Sequence, residues 1–433
     1  MKRRGTIWAI AAAVLLLGGC RAEDAGTAEQ LLADRLPVLE ADGILPQRWY
    51  AGDHGKKPSV RSQESQSNCW AVAAASALEA SLLPEADTVF SPDHFVYENA
   101  FTVDPDMGGS YYMAMAYLSG WQGPVAEADD PYGDASSPEG LAAAVHVQEI
   151  QLLENADTGQ LKELVYQYGA VQASLYLNRG AVGADASYFN PLTSAYYCPD
   201  QNVQDHDIVI LGWDDDYSRF LFKEIPDRDG AFICQNSWGE DFGEDGIFYV
   251  SYEDANLGAM AAAYSVIEPA DNYSDIYQTD DCGWQSSQGY GNETCWFANV
   301  YTARRDERLA AVGFYATAPG ASYEIYFVPD FESEDSLQER QFVQSGAFQN
   351  AGYYTVRFDQ EIALGEGQRF AVVVKLTTPD RMNPAAVEHA GDPETQNVVL
   401  ESKDGYLSQY GDRWQHTEQS FGTNVCLKAY TKA

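Results

Sequence analysis

Near residue 269 the chain changes its periodicity, and one uniform architecture cannot accommodate both halves. Before that point, helical and extended patterns mix. An Ala-rich helical segment runs from Cys69 to Leu83, and a second from Gly159 to Tyr168 leads into the alternating run Gly169 to Tyr176. Short strands are expected at Ile208 to Trp213, Phe220 to Phe222 and Gly246 to Tyr252. After it, Leu309 to Tyr315, Tyr323 to Val328, Tyr353 to Phe358, Phe370 to Leu376 and Val425 to Tyr430 alternate short β-type runs with turn clusters, the pattern of an all-β sandwich. The expected fold is therefore an α+β domain over residues 45–268 followed by a β-sandwich over 269–433, with the boundary in the acidic stretch Glu268 to Asp275. A length of 433 residues fits two or three domains.

Charge narrows the partners. Sixty-five acids against 26 bases give a net charge of −39, which repels phosphate backbones, so no nucleic-acid partner is expected. The N-terminus carries Lys2, Arg3 and Arg4 ahead of an apolar run from Ile7 to Leu17, too short for a membrane span and built like an export signal. Leu17-Gly18-Gly19-Cys20 resembles the bacterial lipobox. That resemblance implies a lipoprotein signal peptide over residues 1–19, lipidation at Cys20, and membrane attachment of an extracytoplasmic, cell-surface protein through the acyl chains. Residues 20–44 read as a polar tether with a short helical pattern from Ala28 to Leu39.

The seven cysteines are too few and too irregular for a disulfide scaffold or a zinc site. Cys282 and Cys295 bracket a Gly- and Tyr-rich loop, and their spacing fits a disulfide or two thiols equally well. Asp214 to Asp216 and Asp227-Arg228-Asp229-Gly230 lack the spacing of a calcium loop and read as turns, so neither a metal nor a cofactor is expected.

Three short segments carry chemistry. In Gln63-Glu64-Ser65-Gln66-Ser67-Asn68-Cys69-Trp70-Ala71 a cysteine opens a helix, where the positive end of the macrodipole favours thiolate over thiol. Asp205-His206-Asp207 precedes a strand, and Asn236-Ser237-Trp238-Gly239 follows an apolar run. His206 lies 137 residues after Cys69, and Asn236 a further 30 on, an order and spacing shared with papain-like cysteine peptidases. With Gln63 upstream and the glycines after Trp238, residues 45–268 resemble that family.

The resemblance implies a two-lobed fold and acyl transfer to Cys69 as nucleophile. His206 would be its ion-pair partner and proton donor, and Asn236 would orient the imidazole. Trp238 would shield that last bond from water, and Gln63 would share the oxyanion hole with the Cys69 N–H. Met107-Gly108-Gly109-Ser110 falls where the family lays a glycine pair along the substrate backbone, and Asp205 would also border the cleft. Gln66-Ser67-Asn68 replaces the family's usual Cys-Gly-Ser, removing a disulfide that normally braces this loop. The β-rich tail is similar to the lectin-like sandwich that follows papain-like domains in some bacterial surface proteins, implying a carbohydrate partner beside a protein or peptide substrate. A catalytically silent surface binding protein and a papain-fold amidase or transpeptidase use the same residue types and stay open at this point.

Overall fold

The computed structural model describes residues 45–177, 187–400 and 404–433. The signal segment, Cys20 and the tether lie outside the described residues. No helix among the described residues is long and apolar enough to cross a membrane.

Four helices serve the first half: α1 (Cys69–Leu82), α2 (Pro92–Tyr97), α3 (Tyr111–Ser119) and α4 (Thr158–Tyr168). Helix α1 is buried along almost its whole length, and its alanines let it lie close against the sheet behind it. Asp157 and Gln160 form a reciprocal capping box at the start of α4, and Gly169 in the left-handed region ends it.

The main strands are β1 (Arg48–Tyr50), β2 (Val145–Glu154), β3 (Val171–Leu175), β4 (His206–Asp214), β5 (Ala231–Gln235), β6 (Ile247–Ser251), β7 (Met260–Pro269), β8 (Asp275–Tyr277), β9 (Glu307–Ala316), β10 (Ala351–Leu364) and β11 (Leu427–Lys432). They join two short pieces, Ala195–Tyr196 and Phe189–Asn190, in one 13-stranded sheet. Its order is β8-β11-β9-β10-β2-β7-β3-β4-β5-β6 and then the short pieces, with β1 on β4. The sheet thus runs without a break from the papain-like half into the tail, through the antiparallel pairing of β2 with β10 at Leu152↔Ala351 to Glu149↔Tyr354.

The tail is a sandwich. A six-stranded sheet centred on Ser322–Val328, Arg369–Thr377 and Thr294–Thr302 faces β9, β10 and β11 across a core that includes Phe297, Ile325, Val374, Phe314, Val356 and Leu427. The expected α+β domain followed by a β-sandwich is what the chain forms. Phe220 to Phe222, expected as a strand, is instead the end of a 3₁₀ turn, because the Arg219 backbone N–H donates to Asp229 and its guanidinium to the Asp227 carbonyl.

The acidic stretch 268–275 is not a solvated linker. Glu268 is buried, accepts from Asn272 and is ion-paired with Arg357, while Asp275 pairs with Arg304 and Arg305. Tyr315, Ala351, Tyr353 and Cys426 from the tail belong to the same apolar cluster as α1 and β7. The thiols of Cys282 and Cys295 are not joined, since Cys282 meets the Ala100 carbonyl at the seam while Cys295 sits in the sandwich core.

The seam also holds buried charge. Lys428 donates to Asp280 at 2.7 Å, and Glu388 accepts from the Cys282 N–H and from Asn424. Burial first and the Asp280 charge second push the Glu388 carboxyl up to about 8. The folded chain therefore keeps a proton on Glu388 where the unfolded chain, near 4.5, has lost it. Stability from this group grows as pH falls from about 8 and is lost as pH rises through that value. Thermal midpoints measured from pH 8.5 down to 6 should rise, and Glu388→Gln should flatten the slope.

Candidate active site

Cys69 occupies the first position of α1, with Asn68 as its N-cap. The loop before it lacks the bracing disulfide but is held by hydrogen bonds. Asn68 donates to the Gln66 side chain at 2.6 Å and to the Tyr132 hydroxyl, which donates to the Ser62 carbonyl. Gln63 is buried, donates to the Gln66 carbonyl at 2.6 Å and accepts from the Ser237 hydroxyl at 2.6 Å. Its own backbone N–H donates to the Ser237 carbonyl, which ties the segment before the cysteine to the residue after Asn236. Just upstream, Arg61 forms a buried ion pair with Glu79 of α1 and a second with Glu127, so the loop is clamped to the far end of the helix it introduces.

His206 is the first residue of β4 and Asn236 follows β5 directly; these strands pair, so the two side chains meet. The His206 Nε2 lies 2.7 Å from the Asn236 Oδ1. That same Oδ1 accepts the Ser237 backbone N–H at 2.8 Å, which fixes it as the acceptor oxygen and requires Nε2 to carry the proton. Both side chains are only 2% and 3% exposed. Trp238 stands 5.1 Å from the imidazole, and Phe242 packs edge-on against Trp238, so the His206–Asn236 bond lies under an aromatic lid.

A polar bridge joins the helix to the histidine strand. Gln172 of β3 donates both to the Trp70 carbonyl, one residue past Cys69, and to Asp207, one residue past His206. Ser174 donates to the other Asp207 oxygen at 2.7 Å, and Tyr264 donates to Gln172. Sequence reasoning missed this network, as it did Arg61, Tyr132 and Ser237. Only the 2-residue spacing of Gln172 and Ser174 on one face of β3, with Ser174 opposite Asp207, signals it.

Gly109 lies directly against the Trp70 indole, where a Cβ would overlap the ring nitrogen. Gly108 is held at φ 93° and ψ −156°, a conformation essentially reserved for glycine. Gly109 thus lies against Trp70, the residue after Cys69. Asp205 uses its carboxylate to accept the Leu177 N–H at 2.6 Å, which closes the connection between β3 and β4. Gly108→Ala is expected to cost about 1–3 kcal/mol of backbone strain. It should raise KM for short peptides more than it lowers kcat, a split that steady-state kinetics reads directly.

The fold, with a cysteine opening α1 and a histidine held by an asparagine at the paired strands β4 and β5, is that of a papain-like cysteine hydrolase domain carried on a lectin-like β-sandwich. Residues 45–267 match the papain family cysteine protease and residues 276–431 the lectin like domain, and the chain belongs to the papain family of cysteine proteases. Cysteine proteinase 1 of Zea mays is 28% identical over 233 residues, 50% of this chain and 59% of that protein. The viral cathepsin of Heliothis zea nuclear polyhedrosis virus is 25% identical over 228 residues, 51% of this chain and 56% of its own length. The chain thus spans less than two thirds of these relatives. The solved cysteine protease and lectin-like domains of Cwp84, a surface layer associated protein of Clostridium difficile, are 25% identical with a TM-score of 0.77, covering 90% of this chain and 89% of that one.

Proposed function

We propose that the protein is a lipid-anchored, extracytoplasmic cysteine endopeptidase that cleaves peptide bonds through an acyl-enzyme on Cys69. The observation that carries this reading is the His206–Asn236 bond, with Nε2 as donor. With its proton fixed at Nε2, the imidazole exchanges the other proton at Nδ1. In the ion-paired resting state that proton belongs to His206, and the Cys69 sulfur attacks the scissile carbonyl as thiolate. Gln63 and the Cys69 N–H stabilise the developing oxyanion. His206 then protonates the leaving amine, and a water deprotonated by the same nitrogen releases the acyl group from sulfur. Trp238 keeps bulk water from the orienting bond, and Gly108 and Gly109 admit the substrate backbone.

The surface-layer association of Cwp84 supports a cell-surface setting, and Leu17-Gly18-Gly19-Cys20 supports anchoring by lipid at Cys20. The lectin-like half is assigned to saccharide binding, with residues 269–433 as its extent. The test is a thiol-directed epoxide: it should label the protein at Cys69 alone and stop hydrolysis in step with labelling. Labelling elsewhere, or turnover that survives complete labelling, would remove the peptidase reading. Mass spectrometry of the native N-terminus checks the anchor, which requires a diacyl- or triacyl-modified Cys20.

A further inference from the structure

Between α4 and the turn 347–350 that enters β10 lies a crevice of about 280 Å³, floored by β2 and therefore built jointly by the papain-like half and the tail. Its floor is a hydrogen-bonded array that leaves one specific pair of functions over. Glu149 Oε1 accepts from Ser265 at 2.7 Å and from Gln151 at 2.9 Å. Gln151 also donates to the Tyr168 hydroxyl at 2.8 Å and accepts from Asn350 at 2.8 Å, so its amide is fully used. The second Glu149 oxygen remains as an acceptor, and the Tyr168 hydrogen remains as a donor. One wall is apolar: Phe348 is stacked by both Tyr354, with ring centroids 3.9 Å apart, and Tyr323, at 4.8 Å.

These leftovers select a chemistry. A cation could satisfy Glu149 but offers nothing to the Tyr168 donor, and an anion is repelled by Glu149 and by the net charge of −39. A hydroxyl both donates and accepts, and neighbouring C–H groups on a sugar ring suit the apolar wall. The volume lies at the small end of ligand pockets, enough for a single ring. We propose that this interdomain crevice is a binding site for one neutral pyranose unit of a glycan, with Glu149 and Tyr168 addressing the same hydroxyl. The inference rests on the saccharide-binding part of the reading above and places the sugar at the seam rather than on the outer face of the sandwich.

The test uses the full chain with methyl glycosides of glucose, galactose and N-acetylglucosamine, followed by saturation-transfer NMR and titration calorimetry. At least one glycoside should bind saturably, and Tyr168→Phe and Glu149→Gln should each weaken it about tenfold, the size expected for one lost hydrogen bond. Phe342→Ala, on the exposed edge strand of the six-stranded sheet, should leave binding unchanged. Absence of binding by all three glycosides, or binding that responds to Phe342→Ala and ignores both crevice substitutions, overturns the proposal. Thermal melts of the variants identify any loss caused by unfolding, and in that case Gln349→Trp, which blocks the exposed rim, supplies the same readout. Hydrolysis of a short peptide, measured in parallel and expected to be unchanged in Tyr168→Phe, separates failure here from failure of the protease reading.

Discussion

Cys69→Ala is expected to abolish peptide hydrolysis, with kcat falling on the order of 10⁶-fold, as when the nucleophile of another acyl-transfer enzyme is removed. The fold should survive. The side chain is small, it sits at the first position of an Ala-rich helix, and alanine is the better helix former. His206→Ala should be nearly as damaging, because neither the ion pair nor protonation of the leaving amine has a substitute. Asn236→Ala should be milder, since it orients the ring and does not react, and its cost should appear in kcat and in the pH profile. Gln63→Ala should lose about 10²–10³-fold in kcat, the range for one oxyanion donor, with some loop loosening because Ser237 also loses its acceptor. A fluorogenic peptide assay beside a thermal melt checks the series, and full activity in Cys69→Ala would end the acyl-enzyme reading.

Deleting residues 270–433 is expected to yield a chain that does not fold cooperatively. The cut strips β10 from the edge of β2, leaving that ladder open to association with other chains. It removes both the half-exposed Arg357 and Asn272 from the buried Glu268, leaving that carboxylate without its partners. It also takes Tyr315 and Tyr353 out of a shared core and Trp284 from its edge-on contact with Tyr112. These losses fall together on a domain whose whole stability is about 5–15 kcal/mol. Size-exclusion chromatography and calorimetry of the fragment decide the matter. A monomeric fragment with a sharp melt and peptide turnover would show that the tail is accessory.

What the sequence made legible follows from burial. The strand at His206–Asp214 and those of the sandwich stand out because β-type runs end in recognisable turns, and the cysteine, histidine and asparagine stand out because their order and spacing are specific. The 10-residue strand β2 did not. Its alternation, Val145 and Val147 and then Ile150 and Leu152, slips by one position at the irregular pairing between Val147 and Ile150, so no single two-residue period spans Val145 to Glu154 and its glutamines and glutamate read as surface. Helix α3 was silent because Met113 to Ser119 are buried all round, leaving no polar stripe to mark a period. The Gln172–Asp207–Ser174 network lies across strands distant in sequence, and the two-residue spacing of Gln172 and Ser174 alone does not name Asp207 as their partner.

The continuous sheet sets the order in which this molecule can come into being. β2 finds its partner about 200 residues later, with Gln151 bonded to Asn350 across a separation of 199 positions, and the C-terminal β11 is inserted between β8 and β9 instead of being added at a rim. Local contacts cannot close such a structure, so slow folding dominated by loop-closure entropy is expected. The catalytic half cannot complete its sheet until β10 has emerged, nor the seam until β11 has. The papain-like half therefore stays unfinished until the strand Ala351–Leu364, about 200 residues further along, is available to pair with β2.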